Sequence, residues 1–207
     1  SRVTPRLRAI RYEAKKLGIF ISCTSEVFQD ATGLSASLLP LMRNNLSSAV
    51  DQAVLTGSGA GEPTGILTAP ATIAVTRTSA GTVTFDDLAA MMGRMLPSSI
   101  RRCVWIVAPS VFKTLVGLQV GAASGVLAMS ARTGAADFKM AILGAEVRIS
   151  DKLPERGDRG DIILADLGYY GYAVRESGRF EKSNSPSWTQ DVLDFRLILR
   201  CDGKPLV

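Results

Sequence analysis

The strongest constraint in this chain is a single amphipathic stretch, residues 38–56, that runs straight into a glycine-rich turn: LLPLMRNNLSSAVDQAVLTGSGAGEPTGIL. Wound as a helix, it places Leu38, Leu41, Met42, Leu46, Ala49, Val50, Ala53 and Val54 on one half of the circumference. Arg43, Asn44, Ser47, Ser48, Asp51 and Gln52 take the other half, the pattern of a helix with one face on a core. Ser37 is the expected N-cap, which puts Pro40 in the first turn, where a missing N–H costs nothing. Gly57 supplies the stop. The rod would be about 28 Å long and is expected to tie distant parts of the fold together.

The glycines that follow do not make a nucleotide loop. No glycine in GSGAGEPTG is followed by Lys-Ser/Thr, and the GxGxxG spacing fails at Glu62 and again at Thr64. A phosphate loop also follows a strand and opens a helix, whereas this one closes a helix. A helix stop and tight turn are expected instead, with Gly59 or Gly61 at positive φ.

The remaining composition excludes more chemistry than it suggests. The 207 residues include no histidine, which removes Ser-His-Asp and Cys-His mechanisms and the commonest metal ligand. Three cysteines, Cys23, Cys103 and Cys201, lie far apart in apolar runs and read as buried thiols, not a disulfide framework or zinc site. No metal or cofactor site is expected, since Asp151, Glu155, Asp158 and Asp161 lack the spacing of a calcium loop. The longest uncharged run, Thr114 to Ala131, is too rich in glycine and polar residues to cross a membrane, so no membrane partner is expected. The chain opens on Ser1 and not Met, inside what reads as a strand, so it is taken as a piece with more chain upstream.

Along the chain, residues 6–15 alternate, Ile10, Tyr12 and Ala14 against Arg11, Glu13 and Lys15, as on a half-buried strand. Residues 17–21 are more apolar, and a short helix is expected after Thr24 and Ser25. The basic set Arg2, Arg6, Arg8, Arg11, Lys15 and Lys16 lacks interleaved aromatics, so a solvated or subunit-facing strand face is preferred over a nucleic-acid patch. A short strand is expected around Ile73 and Val75. Thr84 and Asp87 form a capping box for a helix burying Leu88, Met91, Met92, Met95 and Leu96 up to Pro97. Residues 103–107 read as a strand buried on both faces, followed by a helix through Val111, Leu115 and Leu118. Helix, buried strand and helix argue for an α/β or α+β layer. Residues 121–137 read as a loop, 140–143 and 147–149 as two strands, 151–161 as a charged surface loop, and 162–167 as another strand. Tyr169, Tyr170 and Tyr172 follow in a Gly-rich turn, and a long strand from Val192 to Cys201 ends at Asp202 and Gly203.

Taken in order, ISCTSEVFQDA, LTGSGAGEPTGIL, WIVAPSVFKTLVGL, LGAEVRISDKLP, IILADLGYYGYAVRESGRFE and RLILRCDGKPL resemble the major capsid proteins of tailed bacteriophages, the Hong Kong 97 phage-type fold. The resemblance covers nearly the whole chain and implies an α+β subunit of two lobes. A peripheral lobe, residues 1–67 and 173–207, would hold the spine helix and long antiparallel strands. An axial lobe, residues 68–172, would hold a mixed sheet flanked by helices. The N-terminal arm and long extended hairpin loop of the family have no counterpart ahead of Arg11, so this chain is expected to be a monomer or low oligomer by itself.

The function this resemblance implies is architectural: a phage or prophage head subunit that packs with copies of itself into pentamers and hexamers and encloses DNA non-specifically. It would reside in the virion, and in the bacterial host cytoplasm during assembly. Arg11, Lys15 and Lys16 are candidate subunit-interface residues, and no catalytic residue is expected. Three rivals stay open. An encapsulin-type nanocompartment subunit shares the fold; a small-molecule enzyme would use Asp166 with Tyr169 and Tyr170; a DNA-binding module would use the basic N-terminal strand.

Overall fold

The computed structural model describes residues 9–30, 33–79, 81–118, 129–134, 137–185 and 188–206. The chain divides into two compact units, one built from Ser1–Ala69 with Gly171–Leu206 and the other from Pro70–Tyr170.

The first unit packs a helix on a sheet. Strand β1 (Lys15–Thr24) pairs antiparallel with β8 (Val192–Pro205), which has β7 (Tyr170–Ser183) on its other side. The short α1 (Ser25–Asp30) follows β1, and the long helix α2 (Leu34–Thr56) lies entirely within this unit. Odd-numbered positions of β1 and β8 point toward α2: Leu17, Ile19, Ile21 and Cys23 join Leu193, Phe195, Leu197 and Leu199 around Leu38, Met42 and Leu46. On the opposite face, Arg196 and Arg200 of β8 pair with Glu181 and Glu176 of β7, and Arg179 bridges both carboxylates.

Several sequence expectations change here. The helix begins at Leu34 with Gly33, which has no side chain to cap with, at its N-cap; Ser37 lies inside the helix, and its hydroxyl donates to the Gly33 carbonyl (3.0 Å). Pro40 therefore falls inside the helix, where it withholds one backbone donor. Its ridge of Leu38, Met42 and Leu46 fills one sheet face. Leu41 is 55% exposed, since it sits about 100° around the helix from the middle of that ridge. Leu55 is buried although it lies off the ridge, because the following residues fold back along the last turn: Ile66 and Leu67 N–H donate to the carbonyls of Val54 and Leu55. The first described strand starts at Lys15, and residues 9–14, expected to be strand, have no regular structure. Residues 6–8 lie outside the described residues, as do Arg2 and the rest of the first eight positions.

The second unit holds a mixed five-stranded sheet in the order β3 (Met129–Gly134), β4 (Asp137–Ile142), β5 (Ala145–Ile149), β2 (Val104–Val107), β6 (Ile162–Ala165). Among the described residues of this sheet, β2 and β5 pair parallel and the other neighbours pair antiparallel. As expected, β2 is an interior strand covered on both faces, paired with β5 and β6, with Trp105 and Val107 fully buried and Ile106 nearly so; the Trp105 indole donates to Ile142 O (3.1 Å). Helices α3 (Phe85–Gly93) and α4 (Pro109–Val116) contribute Leu88, Val111 and Leu115 to this core. Helix α3 stops at Gly93, short of Pro97, and leaves Leu96 exposed. The region around Ile73 forms no strand, and Ile73 is exposed. Part of the expected loop is strand: Met129–Gly134 pairs with β4. Its run of small and polar residues carries no alternating signal, and the pairing is made by backbone groups, to which side chains contribute no pattern. Residues 121–128 lie outside the described residues.

Asp161 is not the surface charge its loop suggests. It is buried, pairs with Arg77, and accepts from Gly157 N–H (3.1 Å). The capping box forms as expected: Thr84 and Asp87 exchange bonds, and Asp87 Oδ1 also accepts from the N–H (3.0 Å) and hydroxyl (2.9 Å) of Thr78. Burial alone would raise the Asp87 pKa, but the N–H and hydroxyl donors of Thr84 and Thr78 outweigh it and hold it at about 2, below its ordinary 3.8. A folded-state pKa below the unfolded one stabilises the fold above the unfolded value, and that contribution is lost as pH falls from about 4 through about 2. Urea unfolding of Asp87→Asn across this range is expected to show a smaller loss of stability on acidification than wild type, by about 2 kcal/mol.

Candidate functional site

In the first unit, the glycine turn, the start of β1 and the end of β8 converge at a hydrogen-bonded elbow. Two of the sequence stretches singled out above, LTGSGAGEPTGIL and RCDGKPL, meet there: Thr64 N–H donates to Gly203 O (2.9 Å).

The turn owes its shape to glycine in two ways. Gly59 and Gly61 have φ of 82° and 80°, in the left-handed region expected of this loop. Gly57 and Gly65 instead allow backbone to touch backbone. Gly65 N–H donates to Gly57 O (2.8 Å), and a Cβ on Gly57 would overlap the carbonyl oxygens of Pro63 and Ala53. Inside the loop, the Glu62 carboxylate accepts from the N–H (2.8 Å) and hydroxyl (2.9 Å) of Ser58. Those two donors, with Lys15 nearby, hold the Glu62 pKa below its ordinary value.

Lys15 closes the loop from outside. Its ammonium donates to Gly59 O and to Glu62 O (3.0 Å), so the first residue of β1 is tied to the loop that ends α2. Of the three expected interface residues, Lys15 is thus engaged within its own chain. Arg11 and Lys16 are exposed, Arg11 with Glu13 as its ion-pair partner (3.3 Å). Lys15→Met is expected to speed amide exchange across residues 58–64 while leaving the melting midpoint within a few degrees, since one exposed-side hydrogen-bonding group contributes about 1 kcal/mol. Unchanged exchange would show that the glycines alone hold the loop.

Asp202 was overlooked as a site residue in the sequence. It is fully buried at the elbow, accepting from Glu13 N–H (2.7 Å) and Gly203 N–H (2.9 Å), with the Lys204 ammonium 3.9 Å away. The available signal was an aspartate closing an otherwise apolar strand, a residue type that is buried only when paired.

Two of the residues an enzyme would use, Asp166 and Tyr169, have partners within this unit. Asp166 caps the turn after β6, accepting from Gly168 N–H (3.0 Å) and pairing with Arg102 (3.0 Å), whose guanidinium also lies over the Tyr169 ring. The Ser99 hydroxyl, the Gly168 N–H and Arg102 hold the Asp166 pKa below the ordinary value. Among the described residues, no group of three or more His, Cys, Asp or Glu is gathered as a metal site, and no helix is long and apolar enough to cross a membrane.

With this geometry in place, the sequence matches the model of the phage capsid family over residues 3–207. The chain belongs to the phage capsid family. Solved structures with the same fold agree. A chain described as the capsid of a native GTA particle superposes with a TM-score of 0.79 at 17% identity, covering 98% of this chain and 72% of that one. The Mycobacterium phage Adephagia chain gives 0.66 at 16% identity, covering 95% and 67%. The holo-SrpI encapsulin complex from Synechococcus elongatus PCC 7942 gives 0.67 at 14% identity, covering 94% and 70%. Comparison with curated proteins returns no match. This phage capsid protein is therefore an α+β structural subunit of a head, with its mixed and antiparallel sheets arranged as in other members of the Hong Kong 97 phage-type fold.

Proposed function

We propose that this subunit assembles with copies of itself into pentamers and hexamers that close an icosahedral head around DNA, and that it carries out no catalysis. The observation that carries this reading is the family match across almost the entire chain. On this reading the unit containing α2 and the long antiparallel strands is the peripheral lobe, and the unit containing the mixed sheet is the axial lobe. Arg11 and Lys16, exposed at the entry to β1, face neighbouring subunits, while Lys15 serves its own fold. Closed shells need only repeated modest interfaces, because symmetric closure makes many weak contacts cooperative. The subunit would reside in the virion, after assembly in the host cytoplasm.

Electron microscopy of the full-length product expressed alone tests this. Closed particles of uniform diameter are expected, and a product that stays monomeric would overturn the reading. The likeness to the SrpI encapsulin supports one alternative, a protein nanocompartment. Particles purified with a bound protein cargo and no nucleic acid would favour it over a phage head.

A further inference from the structure

The connection between α3 and β2 is turned inside out. Residues 94–102, RMLPSSIRR, hold no acidic residue, and their turns bury Ser99 while leaving Leu96 52% and Ile100 44% exposed. A connection shaped by solvent alone would face its serine outward and its aliphatics inward. Bonds from the buried side hold this arrangement. Ser99 N–H donates to Leu96 O (2.9 Å), and the N–H groups of Arg102 and Cys103 both donate to Ser99 O (2.9 Å). Leu96 and Ile100 are therefore displayed on a backbone already fixed. Leu167, 45% exposed, adds a third aliphatic, because it follows Asp166, the ion-pair partner of Arg102 (3.0 Å). Cations flank these residues in sequence. Arg94 donates to Ala74 O (3.0 Å), the Arg102 guanidinium lies over the Tyr169 ring, and Arg101 is exposed beside it. The Asp166 side chain is only 5% exposed, so the charge turned outward is positive.

We propose that residues 94–102, with Leu167, are a docking surface for an acidic protein segment of a different chain, one that offers aliphatic side chains ringed by Asp or Glu. An apolar centre with an arginine rim is how protein partners are held, and charge complementarity sets the sign of this one. Arg94 and Arg102 are fixed before binding, so little side-chain entropy is lost when their remaining N–H groups take carboxylates. A second copy fits less well, since the chain carries a net charge of +5 and brings mostly like charge. A nucleic acid also fits less well. Leu96, Ile100 and Leu167 give bases nothing to stack on, and the Tyr169 ring already has Arg102 over it. This partner goes beyond the contacts between copies and does not rest on the shell reading.

Fluorescence anisotropy on the 207-residue chain tests this, with a labelled synthetic amphipathic peptide of about five helical turns, leucine on one face and glutamate on the other. Saturable binding is expected, about tenfold or more tighter than that of a twin peptide with lysine in place of glutamate, and weaker as salt rises. Ile100→Ser and Arg101→Glu are each expected to weaken it about tenfold. Ile73→Ser removes a more exposed aliphatic from the same unit and is expected to leave it unchanged. All three positions are exposed, so melting midpoints within a few degrees of wild type are expected and a loss of binding reports the surface, not the fold. Equal binding of the two peptides, or binding that Ile100→Ser and Arg101→Glu leave intact, would overturn the proposal. Absence of peptide binding would overturn it too. Concentration-dependent self-association lost in Ile100→Ser would then assign the surface to a second copy, and duplex binding lost in Arg101→Glu would assign it to DNA.

Discussion

Gly65→Ala is expected to destabilise the first unit by at least about 3 kcal/mol, and Gly57→Ala by a similar amount. At Gly65 an added Cβ would stand 2.5 Å from Gly57 N, 2.8 Å from the Thr56 carbonyl carbon and 2.9 Å from Leu55 O. Every one of these atoms is backbone, held by the last turn of α2 and by the Gly65–Gly57, Ile66–Val54 and Leu67–Leu55 hydrogen bonds. No rotamer change relieves such a clash. Either the turn separates from the helix and loses those bonds, or the helix end unwinds. Thr68 adds to the loss, because its hydroxyl donates to both Gly57 O and Gly65 O. Gly33→Ala and Gly93→Ala make the controls: a Cβ at either position meets nothing within 4 Å and neither has positive φ, so alanine there is expected to be neutral or slightly stabilising. Denaturant midpoints of the four variants decide the matter. Equal midpoints for Gly65→Ala and Gly33→Ala would mean that the turn tolerates a Cβ by a movement absent from this structure.

Met42→Asp is the second large effect, expected to abolish folding or to cost about 5 kcal/mol or more. Met42 is fully buried in the middle of the ridge that α2 lays on the sheet, between Leu38 and Leu46 and facing Phe195 and Leu197. A carboxylate there has no partner, and an unpaired buried charge costs more than lost packing alone. Met42→Ala isolates the packing part, with an expected loss of about 2–5 kcal/mol. Leu41→Asp, one residue away and exposed, is expected to change stability by less than about 1 kcal/mol. Circular dichroism melts of the three variants would show this ordering. Similar losses for Leu41→Asp and Met42→Asp would mean that the buried face of α2 is placed wrongly. Val50, on the same sequence stripe, is only half-buried and makes a weaker probe.

Periodicity and local chemistry made much of the fold legible. The 3.6-residue stripe marked α2, and Thr84 with Asp87 marked the start of α3, because a helix N-terminus is decided by bonds three residues apart. A continuous apolar run marked β2 as a covered strand. Leu41 was placed on the buried face but is exposed. Periodicity gives the direction of a face but not the width of the surface that will cover it.

At the elbow, the order of the stretches LTGSGAGEPTGIL and RCDGKPL carried the family, and the glycines of the first announced a tight turn with positive φ. That Lys15 would turn inward to Gly59 and Glu62, and that Asp202 would be buried against Glu13, could not be read from the same letters. Lys15 alternates with apolar neighbours just as a solvated lysine does, and its partners are backbone carbonyls, which every residue has.

The sequence by itself determined which segments are helix and strand over most of the chain, the absence of histidine chemistry, and membership of a shell-building family, since these depend on residue identity and spacing along the chain. Only the tertiary structure decided that residues 9–14 lie outside the strand that begins at Lys15, that Asp161 and Asp202 are buried, and that Gly171 makes room for Tyr12. Each of those outcomes depends on two segments distant in sequence meeting at a particular distance, and that distance is set by the packing of the whole unit.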